Sequence, residues 1–64
     1  MFYIVERRDD GRSSRYIDVL YPTYDKAVKE RADLLRVYPK GHIWRERLCI
    51  RHPDGSVTNP DQEK

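Results

Sequence analysis

Residues 23 to 38 read TYDKAVKERADLLRVY, and this stretch decides the fold. At about 100° per residue, Tyr24, Ala27, Val28, Leu34, Leu35 and Tyr38 fall on one arc, and Asp25, Lys26, Lys29, Glu30, Asp33 and Arg36 on the other. That period predicts an amphipathic helix over Thr23 to Tyr38, the one long helix the chain can make. Its ends carry the matching signals. The Thr23 hydroxyl can accept from a first-turn amide. Pro22 keeps Tyr21 extended, and Asp25 suits the positive end of the helix dipole. Pro39 cannot continue the ladder, and Gly41 follows as a release. Arg31 breaks the pattern, because it lies near the middle of the apolar arc. Its stem is expected to pack over the core edge while the guanidinium reaches water or a sheet carboxylate. The alternative makes it a binding residue at the open end of a helix–sheet sandwich.

Upstream of the helix, Phe2 to Arg8 (FYIVERR) and Arg15 to Tyr21 (RYIDVLY) are rich in β-branched and aromatic residues. Asp9-Asp10-Gly11 between them is a turn signal, so the two runs should form an antiparallel hairpin. Downstream, Ile43 to His52 (IWRERLCIRH) reads as a third strand. Pro53-Asp54-Gly55 makes a second turn, and Ser56 to Thr58 can return as a short fourth strand. The fold class is α+β, with order ββαβ and a fourth stub. The expected sheet order is 2-1-3 with the helix on one face. Residues 1–58 form a single domain, and 59–64 are read as a flexible polar tail.

A chain of 64 residues buries only about 60% of its unfolded surface, so a homodimer or another partner would help it. Apolar and charged residues each make up 38%, which suits a soluble domain with a thin core. The net charge of +2 is mildly basic, below the imbalance of a dedicated DNA-coating protein. Cys49 is the single cysteine, which excludes an internal disulfide and favours a reducing, cytoplasmic setting. No apolar run approaches about 20 residues, and the start Met1-FYIV is too short for a signal peptide.

Strand alternation sets the faces. The arrangement expected from it puts Tyr3, Val5, Ile17, Val19, Trp44, Leu48 and Ile50 under the helix. Phe2, Ile4, Tyr16, Leu20, Ile43 and the strand-3 arginines Arg45, Arg47 and Arg51 are then left on the uncovered face. Aromatic anchors beside arginine are the composition of a protein-binding surface. The same face could instead stack bases and neutralise phosphates, although Glu6, Asp18 and Glu46 are interspersed. Two such faces stacked together would make a homodimer.

Dedicated chemistry is hard to find. His42, Cys49 and His52 are the candidate metal ligands, and Cys49 and His52 fall on opposite strand faces, so no metal site or cofactor is expected. Arginine neighbours could lower the Cys49 pKa, but no fixed base accompanies it. A small nuclease built on His52 is the weakest reading.

The runs FYIVERRDDG, RYIDVLYPTYDKAVKERADLL and IWRERLCIR together resemble the small ββαβ accessory proteins of phages and prophages. Some of those inhibit host defence, anti-CRISPR proteins among them. The resemblance is one of pattern over residues 2–58 and contains no diagnostic motif. It implies a protein that occupies another macromolecule's surface without catalysis, often as a dimer, in the host cytoplasm. The expected function is therefore a non-enzymatic protein-binding module. Phe2, Tyr16, Arg45, Arg47 and Arg51 would carry the contact, with Arg31 as a further candidate. A nucleic-acid-binding module on the same face is the alternative.

Overall fold

A computed structural model describes residues 1–62; Glu63 and Lys64, the end of the expected tail, lie outside the described residues. The elements in order are β1 (Tyr3–Arg7), β2 (Ser13–Arg15), α1 (Tyr24–Leu34), α2 (Ile43–Arg47), β3 (Leu48–Arg51) and β4 (Val57–Thr58). The strands make one antiparallel sheet in the order β2-β1-β3-β4. The expected order 2-1-3 is present, and the fourth stub sits beside β3. α1 packs on one face.

α1 begins as its sequence requires. The Thr23 side chain accepts from the Lys26 amide at 3.2 Å, and Asp25 lies in the first turn. The helix ends at Leu34, four residues before the expected Tyr38. The chain tightens there: the Arg36 amide reaches back to the Asp33 carbonyl and the Tyr38 amide to the Leu35 carbonyl. The Arg45 side chain then donates to the Leu35 and Tyr38 carbonyls, at 3.2 and 2.9 Å. It thereby adds a donor to the Leu35 carbonyl at the helix cap and to the Tyr38 carbonyl in the turn that follows.

The second strand is shorter than the expected Arg15 to Tyr21. Pairing stops at Arg15, where the side chain binds Asp18 at 2.7 Å across a bend. Tyr21 rejoins the sheet only as an isolated bridge to Phe2.

The largest departure is at residues 43–47, expected as the first half of strand 3 and found as the short helix α2. A strand needs a neighbour. Leu48 is opposite Glu6, and beyond Arg7 the chain of β1 enters the turn closed between Arg8 and Arg12. Residues 43–47 would have no ladder there, so they coil and satisfy their own backbone. The His42 side chain accepts from the Trp44 amide at 3.2 Å and caps the start.

The core lies between α1 and the sheet. Ile4, Leu48, Ile50, Ala27, Leu35 and Tyr21 are buried in it, with Phe2, Ile17 and Trp44 packed at its margin. Leu48 and Ile50 were expected here; β1, however, is turned over. Ile4 is opposite Ile50 under the helix, while Tyr3 and Val5 point to the other face. Both alternating sets of β1 are apolar, so the pattern alone is ambiguous. Phe2 and Ile4 have no polar tip, whereas Tyr3 keeps a hydroxyl that favours the open side. Val19 and Leu20 are exposed in the loop before Tyr21.

Candidate functional site

The sheet face without a helix is set by the registers. Val5 is opposite Arg15 on one side and Cys49 on the other; Arg7 is opposite Ser13, and Tyr3 is opposite Arg51. Opposed residues share a face. The open face therefore presents Tyr3, Arg7, Arg15 and Arg51 around Val5 and Cys49, and none of its strand positions holds a carboxylate. Glu6 belongs to the helix side, opposite Leu48.

Val5 and Cys49 are 1% and 0% exposed although α1 packs on the other face. The Cys49 thiol donates to the Glu46 carbonyl of α2 at 3.6 Å, and strand neighbours supply the rest of the surroundings. The Arg15 guanidinium lies 4.4 Å from the centre of the Tyr3 ring, a cation–π contact. Arg51 on β3 reaches across β1 and donates to the Ser13 hydroxyl on β2 at 2.7 Å. An arginine stem can cover apolar surface while its charged end stays at the surface, as at the exposed Arg15. Arg51 Nε is buried without a hydrogen-bond partner. That arrangement is costly for folding alone. Arg7 is exposed and pairs with no carboxylate among the described residues.

The residues singled out in the sequence are dispersed. Arg51 is on the open face. Phe2 sits on the helix side, edge-on to the Tyr24 and His52 rings at 5.9 and 5.3 Å. Tyr16 is exposed but meets Trp44 edge-on at 5.9 Å, beside α2. Arg47 lies on α2, with Nη2 3.4 Å from the Asp9 carboxylate. Arg45 is a clasp on the end of α1 and not an outward strand residue.

Arg31 is 2% exposed and reaches neither water nor a sheet carboxylate. Its Nε donates to the Leu48 carbonyl at 2.6 Å, and Nη2 to the Arg45 carbonyl at 2.7 Å and Asn59 Oδ1 at 3.0 Å. Nη1 meets Asp61 Oδ1 at 3.3 Å. The Asn59 amide donates in turn to the Arg45 and Glu46 carbonyls. Arg31 thus ties α1 to the α2–β3 junction and to the segment after β4. Asn59 and Asp61, expected in the frayed tail, are bonded to the body of the domain.

Tyr3, Arg7 and Arg15 were missed as site residues because the face of β1 was read the other way and β2 was read as starting at Arg15. The signal was available: Arg7, Arg15 and Arg51 share a face once Ile4 is set against Ile50. Burial raises the Cys49 pKa, outweighing the charges of Arg7 and Arg31 and the Asn59 hydrogen bond that pull it down. The thiol is therefore not the activated nucleophile that arginine neighbours suggested. His52 stacks on Tyr24 on the opposite side of the sheet. Among the described residues no helix is long and apolar enough to cross a membrane.

No protein-family model matches the chain, nor does any curated protein or solved structure.

Proposed function

We propose that the chain is a non-enzymatic binding module whose open sheet face docks on an acidic surface of a protein partner. The observation that carries this reading is the grouping of Tyr3, Arg7, Arg15 and Arg51 with no carboxylate at any strand position of the same face; of the three arginines, Arg15 alone has a carboxylate partner among the described residues, Asp18 in the bend after β2. Arginine and tyrosine are the residues that anchor protein interfaces. An acidic partner is the complement of such a face. A second copy stacked face to face would set these arginines against each other, which favours a foreign partner over a homodimer. The step to a phage-type inhibitor acting by surface occlusion has the pattern resemblance as its support.

Nucleic acid is the second reading, and the same arginines favour it. Single-strand binders, however, offer successive open rings for bases to stack on. This face has one ring, Tyr3, and Arg15 already lies over it. Fluorescence anisotropy with an aspartate- and glutamate-rich peptide and with a single-stranded oligonucleotide separates the two. The peptide is expected to bind more tightly than the oligonucleotide at equal ionic strength, and to weaken less steeply as salt rises. Tighter binding of the oligonucleotide with a steep salt dependence would transfer the function to nucleic acid.

A further inference from the structure

A second cationic recess lies at the C-terminal end of α1, built from residues that are not on the open sheet face. The cleft has a volume of about 360 Å³ and is lined by Lys40, Gly41, Arg45 and Asp61. Arg45 is fixed in it by the Tyr38 and Leu35 carbonyls, which hold Nε and Nη2. A guanidinium carries five N–H donors, so Nη1 and Nη2 keep donors to spare. Lys40 is exposed and pairs with no carboxylate among the described residues.

Asp61 does not saturate these charges. It lies 3.3 Å from Arg31 Nη1 and 3.5 Å from Arg45 Nη1. Tight charge-assisted contacts of this kind are nearer to about 2.7–2.9 Å. The side-chain hydrogen bond from Arg31, followed by the charges of Arg31 and Arg45, holds the Asp61 carboxyl below its usual range. The local field therefore favours negative charge. Three cations, Arg31, Arg45 and Lys40, stand around one carboxylate.

We propose that this cleft binds a phosphate monoester dianion. Its oxygens would take Lys40 Nζ as a point charge and the spare Arg45 N–H groups as a fork. A dianion is favoured over a monoanion because it is attracted twice as strongly by both cations, which outnumber the neighbouring carboxylate. The recess exceeds the size of a bare phosphate, which leaves room for the group that carries it. This site is independent of the partner proposed for the open face.

The test is a titration of the isotopically labelled full chain with inorganic phosphate at mildly alkaline pH, against sodium chloride of equal ionic strength. Saturable amide shifts are expected at Lys40, Gly41, Arg45 and Asp61, and chloride should not reproduce them. Lys40→Ala alters an exposed residue and should leave the fold intact while weakening binding by about fivefold or more. Asp61→Asn removes the like charge and should tighten binding. The proposal is overturned by shifts that do not saturate, by shifts centred on Arg7, Arg15 and Arg51, or by a Lys40→Ala protein with wild-type affinity.

Discussion

The two faces of the sheet reach the same burial by different means. Under α1, Ile4, Leu48 and Ile50 are covered by Leu35 and Ala27, aliphatic against aliphatic. On the open side, Val5 and Cys49 are as dry, yet their surroundings are Tyr3, Arg15 and Arg51, with the Glu46 carbonyl of α2 on the Cys49 thiol. The first solution supplies stability only. The second shields the back of a thin sheet and displays positive charge at the same positions. A domain too small for a second layer of helices can thus close its sheet with its own binding groups.

The variant expected to do most harm is Arg31→Ala. It takes the side-chain donor from the buried Leu48 carbonyl and one of the two donors from each of the Arg45 carbonyl and Asn59 Oδ1, and should cost about 3–5 kcal/mol. Against the marginal stability of so short a chain, that is enough to leave much of it unfolded in a denaturant titration. A loss under about 1 kcal/mol would free Arg31 from its structural role. Next is Ile4→Ala, expected to cost about 2–5 kcal/mol, beside Tyr3→Phe at within about 0.5 kcal/mol. The opposite ranking would mean that β1 faces the other way.

Arg51 separates stem from charge. Arg51→Met keeps the cover over Val5 and removes a buried unpaired nitrogen, so thermal melting should be unchanged or slightly higher. Arg51→Ala removes the cover and should cost about 1–2 kcal/mol. Equal effects of the two would show that the stem covers nothing.

Acid gives a smaller effect. The Asp61 pKa is depressed in the fold, so its contribution is present above the unfolded value near 3.9 and lost as pH falls through the folded value. Wild type should therefore lose more stability below about pH 4 than Asp61→Asn does. Parallel curves for the two proteins would remove Asp61 from the linkage. The smallest change expected is at Cys49. Because burial raises its pKa, alkylation at neutral pH should be slower than for a free thiol and should quicken only as the protein opens.

The sequence disclosed what local rules govern. The Thr23 cap, the period of α1 and the turns at Asp9-Asp10-Gly11 and Pro53-Asp54-Gly55 all depend on neighbours in the chain, and the sheet order followed from them. What it hid depends on pairing at a distance. IWRER alternates like a strand, and only the early end of β1 leaves it without a partner. FYIV is apolar on both sides, so its face is fixed by Ile50 across the ladder. The binding residues inherited both errors. Arg45 and Arg47 moved off the sheet with α2, while Tyr3, Arg7 and Arg15 moved onto the open face. Arg31 was visible as an anomaly, but its partners are chiefly backbone carbonyls, which no side-chain pattern reveals.

The most direct measurement compares two charge reversals of equal size. Arg7→Glu/Arg15→Glu changes the open face, and Lys26→Glu/Lys29→Glu changes the exposed outer face of α1; all four residues are exposed. The helix variant should melt close to wild type, whereas the open-face variant loses the Arg15–Asp18 pair and the Arg15–Tyr3 contact and should be about 1–2 kcal/mol less stable, so binding is compared at a temperature where both are folded. Affinity for the acidic peptide is then measured for both. The open-face variant should lose binding by tenfold or more, about 1.4 kcal/mol or above, while the helix variant stays near wild type. Equal losses in the two would show that overall charge, not the open sheet face, does the binding.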